Sequence, residues 1–264
     1  CGWVLIGAAA LVPVLGWLAP LGFSLLLALV GLFCLPAVRI ADQDRPAAII
    51  LFAALIWAAV STTWSPYHPS KPGNSTILKL AFELPLYWSA LSAARRADPV
   101  LRTRALHVLA WGCALFGAVL LAETLTHGAI YKALHVLYEP IRPDLAEANL
   151  GHATFVLGLL WPLAAFAAPV RVRPWLALVM AAGTGAAALT FSSDAPVLAL
   201  VLGPLAALAV WRWPSAAPRA LAGIAAFLFL TMPAIVWAVR RGGDYGEIEN
   251  MIPLSWSERM VYWS

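Results

Sequence analysis

Long stretches of this chain carry no charged side chain. There is none from Cys1 to Val38, and further uncharged runs cover residues 46–70, 105–122, 148–170, 174–193, 195–211 and 220–239. A helix needs roughly 20 mostly apolar residues to cross a bilayer, and each run from residue 105 onward is close to that size. The first run has room for two such helices, with a turn marked by glycine and proline near Gly16 to Gly22. Strands of a membrane barrel alternate apolar and polar residues, and these runs do not. In hydrocarbon, backbone polar groups must bond within their own segment, which favours helices. The pattern therefore predicts an all-α, polytopic transmembrane bundle of about nine spans, at 2–17, 21–38, 47–63, 77–93, 105–124, 151–169, 174–191, 195–211 and 220–239. Pro13, Pro85 and Pro233 are expected to kink their helices. Residues 1–240 form one helical membrane domain on this reading, and 241–264 begin a large outward loop.

Composition points the same way. Of the 264 residues, 62% are hydrophobic and 11% charged, where a soluble domain carries about 25% charged residues. A single all-apolar core helix would be ordinary in a soluble protein; a whole series of them is not. The net charge of +4 does not indicate a nucleic-acid surface, because no basic cluster with interleaved aromatic residues is present. Cys1, Cys34 and Cys113 have neither metal-ligand spacing nor a disulfide pattern, and Cys34 and Cys113 read as small packing residues. The first apolar run is too long for a signal peptide and lacks a basic leader. The chain begins at Cys1 without Met and stops at Ser264 inside an apparent pattern, so a fragment of a longer protein is expected, inactive on its own.

The basic residues predict an orientation. Arg39 and Arg45, then Arg95, Arg96, Arg102 and Arg104, then Arg171 and Arg173, then Arg212 and Arg219 fall in alternate short loops. The positive-inside rule places those loops in the cytoplasm. Segments 64–76, 125–150 and 240–264 then face outward, so any chemistry is expected on that side.

The outward segments hold the candidate residues. His127, Tyr131, His135 and Tyr138 can line an amphipathic helix ending at Pro140; the plainer reading is a helix lying on the membrane surface. The sharper one is a substrate lip, with Arg142 offered to a phosphate. Asn149 and His152 stand where the sixth span begins. Asn149 can cap that helix, or the helix start can bind an anion. Asp194, after Ser192 and Ser193, can cap the next helix with Pro196 in its first turn, or hold an arginine in place. Glu83 lies four residues after Lys79 and can pair with it, whereas Glu123 stands near the outer end of the fifth span. In the terminal segment, Arg240 and Arg241 precede a glycine-rich stretch, and Arg259 and Trp263 share a helix face. A guanidinium fork matches phosphate geometry, and an indole offers a sugar or lipid a stacking surface.

Taken with ALIWAAVSTTWSPYHPS, AEANLGHATFVLGLLWPL, LTFSSDAPVLALVLG and LSWSERMVYWS, the span pattern resembles the O-antigen ligase and polymerase superfamily of membrane glycan transferases. The resemblance extends over essentially the whole chain, though its motifs are short. It implies a donor glycan linked to undecaprenyl diphosphate, and an acceptor that is lipid A–core or another glycan. The reaction would occur at the periplasmic face of the bacterial inner membrane, with membrane lipid as the surroundings and no cofactor, metal or nucleic acid. Arg259 matches the family's loop arginine in an R-x-x-x-W pattern ending at Trp263, and Asn149 matches a recurrent asparagine. The chain departs from the family at Asp194, where many members have arginine; Arg142, Arg240 and Arg241 are the substitutes for a diphosphate contact. On this resemblance Arg259, Asp194 and Asn149 are catalytic candidates, and Arg142, His152, Trp263, Arg240 and Arg241 bind substrate. A transporter would need internal symmetry and a polar site near mid-membrane, neither of which the sequence suggests. A non-catalytic scaffold for envelope assembly is the other alternative.

Overall fold

The computed structural model describes residues 2–63, 75–136, 141–191 and 194–241, with backbone only at Leu21, Gln43, Asp194, Phe229 and 232–241. Among the described residues the chain forms ten α-helices: α1 (Gly2–Leu18), α2 (Phe23–Phe33), α3 (Arg45–Ser61), α4 (Thr76–Arg96), α5 (Pro99–Leu125), α6 (Ala129–Val136), α7 (Pro143–Ala167), α8 (Arg173–Thr190), α9 (Asp194–Arg212) and α10 (Ala217–Arg241). Turn chemistry sets several starts. Asp98 caps α5, its Oδ1 accepting from the Val100 amide at 2.7 Å, with Pro99 in the first turn. Pro143 begins α7 directly after Arg142.

The expectation of nine spans is not met. Among the described residues, three helices are long and apolar enough to cross a bilayer: Pro99–Leu125, Pro143–Ala167 and Ala195–Arg212. The reason is length and interruption. Helix α2 has 11 residues, or about 16 Å at 1.5 Å per residue, against a hydrocarbon core of about 30 Å. Helices α1 and α3 have 17 residues each. Helix α4 is longer but carries Lys79, Glu83, Arg95 and Arg96, and α8 is diluted by glycine, alanine and threonine. Runs without charge are therefore not the same as spans: turns cut the first run short, and polar residues interrupt others. The long apolar helices are consistent with a membrane-associated protein, as are large side chains left exposed on their surfaces, such as Trp111, Leu115 and Leu159.

The chain divides into two compact units, Cys1–Gly203 and Pro204–Ser264. In the first unit α5 is central and packs on α1, α7 and α8, while α2 packs on α4. The core is built from Ala110, Cys113, Phe116 and Leu120 of α5, Leu150, Ala153 and Leu157 of α7, and Leu176, Met180 and Ala187 of α8. Small residues let the backbones approach closely, which is how helices associate without a hydrophobic drive from water. At the α5–α8 crossing, a Cβ on Gly183 would run into the backbone of Gly117. Thr154 and Thr184 satisfy their hydroxyls within their own helices, on the carbonyls of Leu150 and Met180. In the second unit, the Arg212 guanidinium lies over the Trp213 ring at 5.8 Å.

The first unit has two distinct ends. Leu101, near the start of α5, would meet a Cβ on Gly2 at the start of α1. Trp17 near the end of α1 meets Glu123 near the end of α5. The two helices thus run parallel, and α7, which follows α6, starts at the Trp17 end.

Candidate functional site

At that end, side chains from four helices form a buried polar node. Trp17 Nε1 of α1 donates to Glu123 Oε1 of α5 at 3.2 Å. The Trp17 ring stands edge-on to Tyr131 of α6, with centroids 6.3 Å apart. The Tyr131 hydroxyl accepts from Asn149 Nδ2 of α7 at 3.2 Å and makes a long contact of 3.5 Å to the Leu18 carbonyl. His135 lies against Tyr131, with ring centroids 4.3 Å apart, and its Nδ1 is 3.2 Å from the Tyr131 carbonyl oxygen, a bond made by the Nδ1–H tautomer. Glu123 and Tyr131 are fully buried.

The node arises from local sequence. Helix α5 ends at Leu125, and the chain turns through His127 and Gly128, both with positive φ, of 50° and 76°. That conformation suits glycine and is uncommon for histidine. The turn returns α6 over the end of α5, bringing the amides of Ile130 and Tyr131 beside the Glu123 carboxylate. Neither closes a hydrogen bond to Oε2, which is buried and has no partner among the described residues. Burial pushes the Tyr131 phenol above its ordinary 10.0; the Asn149 hydrogen bond opposes this, and the nearby Glu123 charge adds to it. At the rim, Lys132 Nζ lies 4.0 Å from Glu147 and 3.4 Å from the His127 carbonyl.

An apolar groove of about 810 Å³ runs beside the node between α1 and α5. Pro13, Val14, Trp111 and Leu115 form its walls, and Trp17 and Leu18 line it near the node. Trp17 is therefore both a wall of the groove and a member of the polar node.

The sequence candidates fall in different places. Asn149 is in the node, but it is not a cap: α7 begins at Pro143, and Arg142 occupies the cap position. The charge-free run misplaced this start because Asp144 and Glu147 lie inside the first turns of the helix. Arg142 is exposed and paired with Asp144 at 2.9 Å. His152 is exposed on α7, three residues beyond Asn149. Asp194 is the first residue of α9, and Arg240 and Arg241 are the last two of α10. Arg259, Trp263, Tyr138 and Pro140 lie outside the described residues. Helix α6 forms within the segment expected to lie on the membrane surface, yet Tyr131 faces the bundle and is buried. Glu83 takes a hydrogen bond from the Tyr87 hydroxyl at 2.7 Å, and among the described residues it forms no ion pair with Lys79.

Two members of the node had no assigned role in the sequence reading, Glu123 and Trp17. Their signals were a carboxylate ending the uncharged run 105–122 and an indole at the end of the first apolar helix. Among the described residues, no group of three His, Cys, Asp or Glu is placed to hold a metal ion. No protein-family profile, curated protein or solved structure matches the chain.

Proposed function

We propose that this chain acts on glycan linked to undecaprenyl diphosphate at the periplasmic face of the bacterial inner membrane, as a glycan transferase of the O-antigen ligase or polymerase type. The observation that carries this reading is the sharing of Trp17 and Leu18 between an apolar groove and a polar node. A polyprenyl diphosphate needs an apolar track for its tail and polar partners for its headgroup just beyond it. The charge distribution supports the orientation: Arg39, Arg45, Arg95, Arg96, Arg102 and Arg104 gather at the end away from the node, as the positive-inside rule requires of a cytoplasmic face.

The chemistry is cleavage of a sugar–phosphate bond. A base takes the proton of the acceptor hydroxyl, the oxygen bonds to the anomeric carbon, and the bond from that carbon to the diphosphate oxygen breaks with inversion. Charge builds on the departing diphosphate, where positioned guanidinium groups stabilise it most strongly as water is excluded. Arg142, at the start of α7 in the first unit, is assigned this role. Asn149 and Asp194 orient their partners, and His152 contacts the glycan.

The test is retention of undecaprenyl diphosphate by the purified chain in nanodiscs, compared with undecaprenol. The diphosphate is expected to be held at least about tenfold more tightly, and Arg142→Ala is expected to lower that preference. Equal retention of the two lipids would sink the proposal.

A further inference from the structure

We infer that Glu123 is a positioning residue, which sets Asn149 at the head of the groove through Trp17 and Tyr131. The inference rests on the proposed function for what Asn149 meets, but the linkage itself is geometric. Glu123 Oε1 holds the indole of Trp17, the Trp17 ring abuts Tyr131, and the Tyr131 hydroxyl takes the Asn149 amide. These contacts join α5 to α1, α1 to α6, and α6 to α7. Each carries a constraint that none of those helices supplies alone.

The carboxylate is an expensive way to hold an indole. Glu123 is fully buried, and among the described residues Oε2 has no hydrogen-bond partner. A buried charge or polar atom without a partner opposes folding, and ionisable residues within a membrane-spanning helix are rare outside working sites. A backbone carbonyl or a serine could accept from Trp17 at less cost. The carboxylate has a second feature that those lack, because the first turn of α6 is folded over it, with the Ile130 and Tyr131 amides alongside. One side chain thus fixes the indole and faces the turn that carries Tyr131. Through Tyr131, both effects reach Asn149, which is only partly buried and so can still meet a ligand.

Two measurements test this. The first is independent of any ligand. The asparagines of the chain are Asn74, Asn149 and Asn250, so labelling asparagine with nitrogen-15 gives a sparse spectrum in which Asn149→Gln identifies the Asn149 side-chain amide. Glu123→Ala and Trp17→Phe are expected to shift that amide, while Glu123→Gln, which keeps an acceptor for Trp17, leaves it near its original position. An Asn149 amide unmoved by both Glu123→Ala and Trp17→Phe overturns the inference, as does an equal shift in Glu123→Gln and Glu123→Ala. Trp17→Phe covers the case in which Glu123→Ala does not fold.

The second is a double-mutant cycle on retention of undecaprenyl diphosphate in nanodiscs. Glu123→Ala is expected to weaken retention about tenfold, the effect of losing one well-placed hydrogen bond to a ligand, and Glu123→Gln by less than about twofold. In the Asn149→Ala background, Glu123→Ala should cost less than about twofold more, because residues acting as one unit are not additive. Additive losses would mean that Glu123 only stabilises the fold, and the positioning role would be discarded. If the original protein retains no undecaprenyl diphosphate, the proposed function fails while the amide spectrum still decides the linkage.

Discussion

The two ends of the first unit use polar side chains in opposite ways. Away from the node, they tie off backbone. Ser89 donates to the Gly31 carbonyl at 2.8 Å, and Trp88 and Ser92 donate to the Arg39 carbonyl at 3.2 and 3.3 Å. Arg96 donates to the Ala37 carbonyl at 3.3 Å, and Arg95 pairs with Asp44 at 2.5 Å. The bonds to Ala37 and Arg39 satisfy carbonyls where the chain turns from α2 toward α3, and Ser89 adds a second donor to the Gly31 carbonyl, which also accepts from the Cys34 amide. At the node the bonds run between side chains, Trp17 to Glu123 and Asn149 to Tyr131, and one carboxylate oxygen is left over. The first arrangement is explained by folding. The second leaves a buried acceptor without a partner among the described residues; the indole nitrogen of Trp161, further along α7, is likewise without one.

The contrast can be broken most severely at the scaffold both ends share. Gly183→Val places a side chain against the Gly117 backbone at the α5–α8 crossing, and the chain is expected to lose about 3 kcal/mol or more, the upper range for overpacking. Denaturant titration in detergent should show both ends failing together; a near-normal midpoint would mean that the crossing yields easily. Next, Ser89→Ala removes a buried donor from the Gly31 carbonyl and is expected to cost about 1–2 kcal/mol with lipid retention intact. Glu123→Ala should lower lipid retention in addition to any loss of stability. If Ser89→Ala impairs retention as strongly as Glu123→Ala, the division between the two ends is wrong.

A smaller effect is expected at the ion pair of Arg95 and Asp44, whose side chains are 49% and 15% exposed. Arg95→Ala should shift stability by less than about 1 kcal/mol once solvent screening is allowed for, and high salt should shrink that further. The smallest effect concerns pH. Tyr131 is held above its ordinary 10.0 by burial, so its neutral form suits the folded node. That contribution is complete below pH 10 and fades as pH rises through the raised value. Tyr131→Phe should remove this part of the alkaline loss, while changing little at neutral pH beyond the missing hydroxyl bonds. An unchanged alkaline profile would show that the phenol does not report on the node.

Composition and patterning were enough to indicate the helices of the described residues and a character consistent with membrane association, and to locate most of those helices within a few residues. Uncharged runs carry that information because a charge in lipid is costly and a helix is the segment's only way to satisfy its own backbone. They do not carry span length. A run says where charge is absent, whereas a span also needs an unbroken helix, and the turn between α1 and α2 or the polar residues of α4 decide that. Asn149 was legible as a candidate, but its cap role was not correct, because α7 begins six residues earlier than Asn149.

Glu123 and Trp17 are 106 residues apart in sequence, and no local pattern pairs them. Their meeting depends on α1 and α5 running parallel in contact, and on the His127–Gly128 turn that folds α6 back over both. The sequence alone determined which segments are helical and apolar, since those are properties of neighbouring residues. Only the tertiary structure decided which polar groups share one buried space, because that follows from helix packing and turn direction, and the same side chains set apart would each be an ordinary helix-end residue.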